Sequence, residues 1–275
     1  MQENIQLPEV EVPSFRSYYD DLKASPNNFS FWYPKVKGAF LTPESVVVPV
    51  PEEVVLSFFL EREGDRARVE GFVKATLLPS IPESFGDRVF LKNGCTSNKF
   101  EFGDCSPLCT VEAITKSLLS ISEMAFCVDC GGVTEVVVRR LVGQKDSCFK
   151  GTIYEGMRLR PEVRVFYDFG VRKPLYAVNY WDWDYCHDAI CDRNAEDAKV
   201  YEQTYPVLKH IFDAQEEYLR DLVEARMKGV DLEGVWSIDL MYAENCWWLI
   251  DMAVGQMSAY YDQERVEAAI FALRK

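Results

Sequence analysis

Apolar residues recur along the chain with two periods, one helical and one of strict or interrupted alternation. Residues 45–50 form a short β-branched run closed by Pro51. Glu52 and Glu53 then precede Val54, Val55, Phe58 and Leu60, which predicts a strand followed by a helix with acids in its first turn. Residues 88–92 predict a second strand, running into a polar loop over 93–104. Behind Thr110, a good N-cap, Val111, Ile114, Leu118 and Ile121 keep helical spacing. Residues 133–142, 162–168 and 175–180 read as three strands of one sheet. Thr204 predicts the cap of a helix with Pro206 at its first position, whose stripe of Leu208, Ile211, Phe212, Leu219, Leu222 and Val223 runs to Gly229. Residues 235–242 and 246–252 predict a hairpin, and 263–275 a closing helix. Residues 1–30 are polar and irregular. Strand groups separated by helices predict an α+β chain with two sheets rather than a doubly wound parallel one.

The hairpin carries the first chemistry. In its leading strand Trp236, Ile238, Leu240 and Tyr242 share one face, while Ser237 and Asp239 share the other. If Glu244, Asn245 and Cys246 form a three-residue loop, Ala243 pairs with Trp247 and Asp239 lies opposite Asp251, with Cβ atoms roughly 4.5–5.5 Å apart. Like charges so placed need solvent, a metal ion or a basic side chain between them. Mg²⁺, which takes one or two carboxylates plus phosphate oxygens, meets that need. The alternative is two solvated acids on an open sheet face. Upstream, Lys92 ends an apolar strand at a loop of Asn, Gly, Ser and Thr, and Arg164 interrupts the strand around it. Lys92 is suited to phosphate oxygens or to solvent, and Arg164 either bridges to Glu162 or sits over a phosphate.

Composition narrows the partners. The 275 residues carry 44 acidic and 30 basic side chains, a net charge of -14, so nucleic acid and anionic membrane surfaces are not expected. Nine cysteines show no secreted framework, and the first ten residues lack a signal-peptide pattern, so a reducing, cytoplasmic setting is expected. No apolar run approaches the roughly 18 residues of a membrane span. Cys105, Cys109, Cys127 and Cys130 offer four thiols to zinc, or are ordinary free cysteines. His187, in the stretch Cys186-His-Asp-Ala-Ile-Cys191, admits a metal or nucleophile reading. The acids between Asp182 and Asp197, interleaved with Trp181, Trp183 and Tyr185, predict a solvated loop, a lid, or a docking surface for a basic partner.

The order of these segments resembles the ATP-grasp fold, specifically the cell-division-cycle-123 family and its bacterial and phage relatives. The residues that carry the likeness are Phe31-Trp-Tyr-Pro34, Ser45-Val-Val-Val-Pro-Val-Pro51, the Lys92 strand, Glu135-Val-Val-Val-Arg-Arg140, Glu162-Val-Arg164, Asp239 and Trp248-Leu-Ile-Asp251. The resemblance implies two α+β lobes clamping ATP between antiparallel sheets. It divides the chain into an irregular segment 1–30, a lobe over 31–138 with the lysine strand, and a lobe over 139–275 with the metal hairpin. Lys92 and Arg164 would contact the phosphates and assist catalysis. Glu135, Val136, Val137 and Val138 would form the adenine hinge, and Asp239 and Asp251 would hold Mg²⁺. The implied function is an ATP-dependent carboxylate–amine ligase acting on a peptide or protein, or an ATP-binding assembly chaperone, as in translation-initiation factor assembly. Two departures stand out: Ala253 replaces the asparagine of the family's Asp-x-Asn, and Tyr180-Trp-Asp-Trp183 stands where a basic residue is usual.

Overall fold

The computed structural model describes residues 14–60, 64–128, 130–143, 146 and 148–273. Helices α1 (Phe15–Lys23) and α2 (Phe29–Val36) precede β1 (Ser45–Pro49), α3 (Glu52–Leu60), α4 (Asp65–Phe72), β2 (Val89–Asn93), α5 (Phe102–Cys105), α6 (Val111–Cys127) and β3 (Glu135–Arg140). The second half holds β4 (Thr152–Ile153), β5 (Met157–Arg158), β6 (Glu162–Asp168), β7 (Lys173–Asn179), α7 (Trp183–Arg193), α8 (Ala195–Met227), β8 (Val235–Ala243), β9 (Cys246–Val254) and α9 (Gln263–Leu273).

The expected single sheet over 133–180 is two sheets. β3 lies between β1 and β2, whereas β6 and β7 belong to a four-stranded antiparallel sheet ordered β7-β6-β8-β9. The reason lies in the valine run of β3. Val136 and Val138 face a core with Val48, Leu91, Ile114 and Leu118, while Val137 packs on the other side against Phe29, Trp32 and residues of the larger sheet. A strand buried on both faces shows no alternation, so nothing in its pattern marks which sheet it joins. Thr110 caps α6 as expected, accepting from the Ala113 N–H at 3.2 Å.

Three other expectations change. Of the segment 1–30 expected to be irregular, residues 1–13 lie outside the described residues, and 15–23 are α1, with the Ser14 hydroxyl accepting from the Ser17 N–H at 3.2 Å. The expected acidic loop is α7, opened by an Asp182 side chain that accepts from Asp184 N–H. Its aromatics are partly spent internally, since Trp181 is buried and Trp183 stacks near Tyr201. The helix expected at Thr204 begins at Ala195 instead, capped by Asn194, and passes through Pro206. Buried Tyr201, whose hydroxyl donates to the Trp181 carbonyl at 3.0 Å, fixes the turns ahead of the proline, so packing overrides the missing N–H.

Candidate functional site

Alternation across β8 and β9 sends Trp236, Ile238, Leu240, Leu249 and Met252 into the core. Asp239 and Asp251 pair in register on the opposite face. They meet by a route the sequence does not suggest. The loop is the two residues Glu244 and Asn245, both at positive φ (52° and 62°), so Ala243 pairs with Cys246. A bulge at Ile250 then restores the lost residue, since Leu240 pairs with Leu249 and Asp239 with Asp251. Without that bulge, Ile250 would face Asp239.

Each aspartate has a cation of its own. Arg164, the register partner of Asp239 on β6, donates Nε to Oδ1 and Nη2 to Oδ2, both at 2.7 Å, and its third arm donates to the Ala259 carbonyl at 3.0 Å. Burial works against the Arg164 charge, but the carboxylate outweighs it and holds the guanidinium above its ordinary range. Lys92, on the other sheet and 1% exposed, donates to Asp251 Oδ2 at 2.6 Å. Asp251 Oδ1 also accepts from the Met252 N–H at 3.1 Å. The basic side chains that the acid pair demanded are therefore Arg164 and Lys92, and Arg164 bridges to Asp239 rather than to Glu162.

These four residues sit in a cleft of about 650 Å³ lined from both sheets. Eight of its lining side chains are cationic, Arg88, Lys92, Lys99, Arg139, Arg140, Arg158, Arg160 and Arg164, against four acids, Glu155, Glu162, Asp239 and Asp251. Arg139 is buried and donates to the Ile250 carbonyl at 2.5 Å, while its Nε has no partner. Lys99 touches the Tyr180 hydroxyl and lies 3.7 Å from that ring's centroid. Burial pushes the Glu162 carboxyl up to about 7, with nearby Lys99 opposing the shift.

A second chamber of about 310 Å³ adjoins the first, and Lys99, Arg164, Tyr180, Asp239 and Asp251 line both. Six of its 19 lining residues are aromatic, Phe100, Tyr154, Tyr180, Trp181, Tyr185 and Tyr260. Burial pushes the Cys95 thiol up to about 12 and raises that of Cys186, so both wall cysteines are unreactive thiols near neutral pH.

The structure does not bring Glu135, Val136, Val137 and Val138 to the cleft. They lie inside β3, where Val136, Val137 and Val138 are paired with β1 on one side and β2 on the other, and Glu135 with β1. Glu135 Oε1 accepts from the Ser30 N–H at 3.1 Å, in the first turn of α2, where a carboxylate is stabilised by the helix end. A Cβ at Gly94 would stand 2.3 Å from the same oxygen, so glycine there lets the loop after β2 close over the Glu135 carboxylate without displacing it. Along this strand the cleft lining begins past these residues, at Arg139, Arg140, Leu141 and Val142. Sequence reasoning missed Lys99, Arg139 and Glu162 as site features, and of the aromatic chamber it singled out only the stretch around Tyr180, Trp181 and Tyr185. The two arginines closing the valine run were the available signal for Arg139. The four cysteines 105, 109, 127 and 130 do not gather as a metal group among the described residues, where His187, Cys191 and Glu202 form the one such cluster. Among the described residues no helix is long and apolar enough to cross a membrane.

No family model matches the sequence, and no curated protein does. The structure is similar to Cdc123 from Schizosaccharomyces pombe, with a TM-score of 0.53 and 16% identity, covering 91% of this chain and 92% of that one. A C-terminally truncated Cdc123 from the same organism aligns with a TM-score of 0.51 and 16% identity over 86% of each chain. A D-alanine–D-alanine ligase from Helicobacter pylori aligns at 0.45 and 10% identity, over 90% of this chain and 57% of that one. With its two antiparallel sheets facing one cleft, the chain has the ATP-grasp fold in the form seen in Cdc123.

Proposed function

We propose that the cleft binds Mg·ATP and that the protein is an ATP-dependent ligase, joining a carboxylate of a peptide or protein substrate to an amine. The observation that carries this reading is a local inversion of charge. A chain of net charge -14 encloses a cleft with twice as many cations as acids, and two of those acids pair in register. Polyphosphate is the ligand that such a lining compensates. Asp239 and Asp251 fit a hard dication, because both offer carboxylate oxygens on one sheet face and each oxygen keeps a lone pair beyond its present hydrogen bond. Bound there, Mg²⁺ would draw charge from the phosphate oxygens and orient them.

The remaining work falls to the chain's own side chains. Lys92 and Arg164 stand beside the two aspartates on the cleft floor, where both would also face phosphate oxygens held by a metal on those acids. Arg139, with its unpartnered Nε, adds a third cation. Leu141 and Val142 replace residues 135–138 as the apolar lining against the base. The aromatic chamber opens on the acid pair and holds the acceptor. There the terminal phosphoryl passes to a carboxylate oxygen with release of ADP, and an amine then displaces phosphate while losing a proton. Lys92 and Arg164 stabilise the charge that develops in the first step.

Purified protein should show a melting shift with ATP that requires Mg²⁺ and should release ADP when supplied with peptides and amines. Asp251→Asn should remove the Mg²⁺-dependent part of the shift, read against the variant's own melting temperature without ligand, which should fall because the buried Lys92 ammonium loses its counter-charge. No ADP or AMP above background across a broad acceptor panel eliminates the ligase reading. Ala253 favours a second reading, because binding tolerates two protein ligands to the metal better than phosphoryl transfer does. In that reading ATP draws the two sheets together and presents a surface to a protein client, as an assembly chaperone would. A client recovered at equal stoichiometry only with ATP supports it, and recovery unaffected by ATP counts against it.

A further inference from the structure

Helices α7 and α8 pack against each other as a hairpin, with Ile190 of α7 buried and Trp183, Cys186 and Cys191 partly buried against the same core. What stands at the contact is chemistry. His187 and Cys191 are one turn apart on α7, which places their side chains one above the other, and Glu202 faces them from α8. His187 Nε2 lies 3.2 Å from Glu202 Oε1 and 3.6 Å from Cys191 Sγ. The three ligand atoms all fall within 4.8 Å of one another. Bonds of about 2.3 Å to sulfur and about 2.0–2.1 Å to nitrogen and oxygen, at tetrahedral angles, separate sulfur from nitrogen by about 3.6 Å and nitrogen from oxygen by about 3.3 Å. The nitrogen–oxygen separation matches its edge, while Cys191 Sγ, 3.6 Å from Nε2 and 4.0 Å from Nδ1, lies beside the ring, so the thiol must turn about its Cα–Cβ bond to stand in front of Nε2.

The surroundings agree. His187 Nδ1 lies 2.9 Å from Asp188 Oδ1, an outer carboxylate that accepts the Nδ1–H in the tautomer whose Nε2 is free to bind a metal. Trp183 stacks on the imidazole at 4.2 Å with planes 19° apart, which limits rotation of the ring. We propose that His187, Cys191 and Glu202 bind one zinc ion, which staples α7 to α8 and keeps its fourth position for water. Thiolate with imidazole selects zinc over Mg²⁺ or Ca²⁺, which favour all-oxygen sets. A protonated His187 bridging Asp188 and Glu202 accounts for two of these contacts but gives the thiol no part. The metal also offsets acids clustered on this helix, Asp184, Asp188 and Asp192. Tyr185 and Cys186 of the same helix line the aromatic chamber, so the staple fixes one wall of the acceptor site. The zinc site itself does not depend on the ATP reading.

The test uses the full chain, stripped with chelator and titrated with Zn²⁺ against a chromogenic chelator at fixed pH. One equivalent is expected. His187→Gln and Cys191→Ser should each weaken it by about 100-fold or more, and Asp188→Asn by about 10–100-fold. Cys130→Ser should leave it unchanged, which separates this site from adventitious binding by other thiols. Co²⁺ in place of Zn²⁺ should give a thiolate charge-transfer band that Cys191→Ser abolishes. Should Cys191→Ser fail to fold, His187→Gln decides, because its ring is partly exposed and outside the core. Wild-type protein that binds no zinc, or binds it no more tightly than His187→Gln, overturns the proposal, as does loss of the site in Cys130→Ser.

Discussion

The two ion pairs at the cleft floor look alike and are built differently. Arg164 and Asp239 are register partners on neighbouring strands of one sheet, both 8% or less exposed as residues. Lys92 and Asp251 join two different sheets, and the Asp251 side chain is 31% exposed. A pair inside a sheet is fixed when the strands pair, whereas a pair between sheets exists only when the sheets are brought together. The first therefore belongs mainly to stability and the second mainly to the ligand-dependent relation of the sheets.

The largest effect of that division is expected on the intra-sheet pair. Asp239→Ala leaves the Arg164 guanidinium buried with only the Ala259 carbonyl, and should cost about 3–5 kcal/mol of unfolding free energy in urea titration. A cost under about 1 kcal/mol would mean that solvent reaches Arg164 and that the two pairs do not differ. Lys92→Met should do the reverse. It replaces a buried ammonium with an apolar chain of similar volume, so stability should change little, while ATP affinity by calorimetry falls about tenfold to a hundredfold. Loss of stability without loss of affinity would exchange the roles of the two pairs.

The same contrast explains what the sequence reveals and what it hides. Asp239 and Asp251 are legible because a hairpin's partners are close in sequence, and alternation assigns the face. Their meeting survives a wrong loop length only because the extra residue sits in the bulge at Ile250 instead of the turn. Lys92 and Arg164 are visible as cations in strands, but not which acid each meets. The Lys92 contact spans 159 positions, and the burial of β3 on both faces hides the division into two sheets. Glu135 stands away from its expected place for a related reason. A carboxylate opening a strand gives no sign that the first turn of a helix 105 positions away will take it. The aromatic chamber is unreadable as a whole because its walls come from loops and helices far apart in the chain.

A smaller effect is expected at Glu162, which lines the cleft near Lys99, Asp239 and Arg164. Its folded carboxyl titrates at about 7 against 4.5 for the ordinary group, because burial disfavours the charge. The folded state therefore binds this proton more tightly than the unfolded one. Stability from Glu162 is greatest below 4.5 and falls as pH rises towards about 7. Affinity for ATP should likewise weaken as pH rises through about 7, when a negative charge appears in the cleft. Glu162→Gln should flatten both profiles. Binding curves between about pH 6 and 8 that are parallel for wild type and variant would remove Glu162 from the cleft's electrostatics.

The smallest effect isolates the device that sets the acid pair. Both residues of the Glu244-Asn245 turn are left-handed, and asparagine accepts that conformation at some cost while glycine accepts it freely. Asn245→Gly should stabilise the protein by roughly a few tenths of a kcal/mol, read from the urea midpoint at constant slope. Because register is set jointly by this turn and by the bulge, the variant should leave Mg²⁺-dependent ATP binding unchanged. If instead the slope or the binding shifts, the turn and the bulge exchange a residue between them, and the pairing of Asp239 with Asp251 depends on the turn rather than on the sheet.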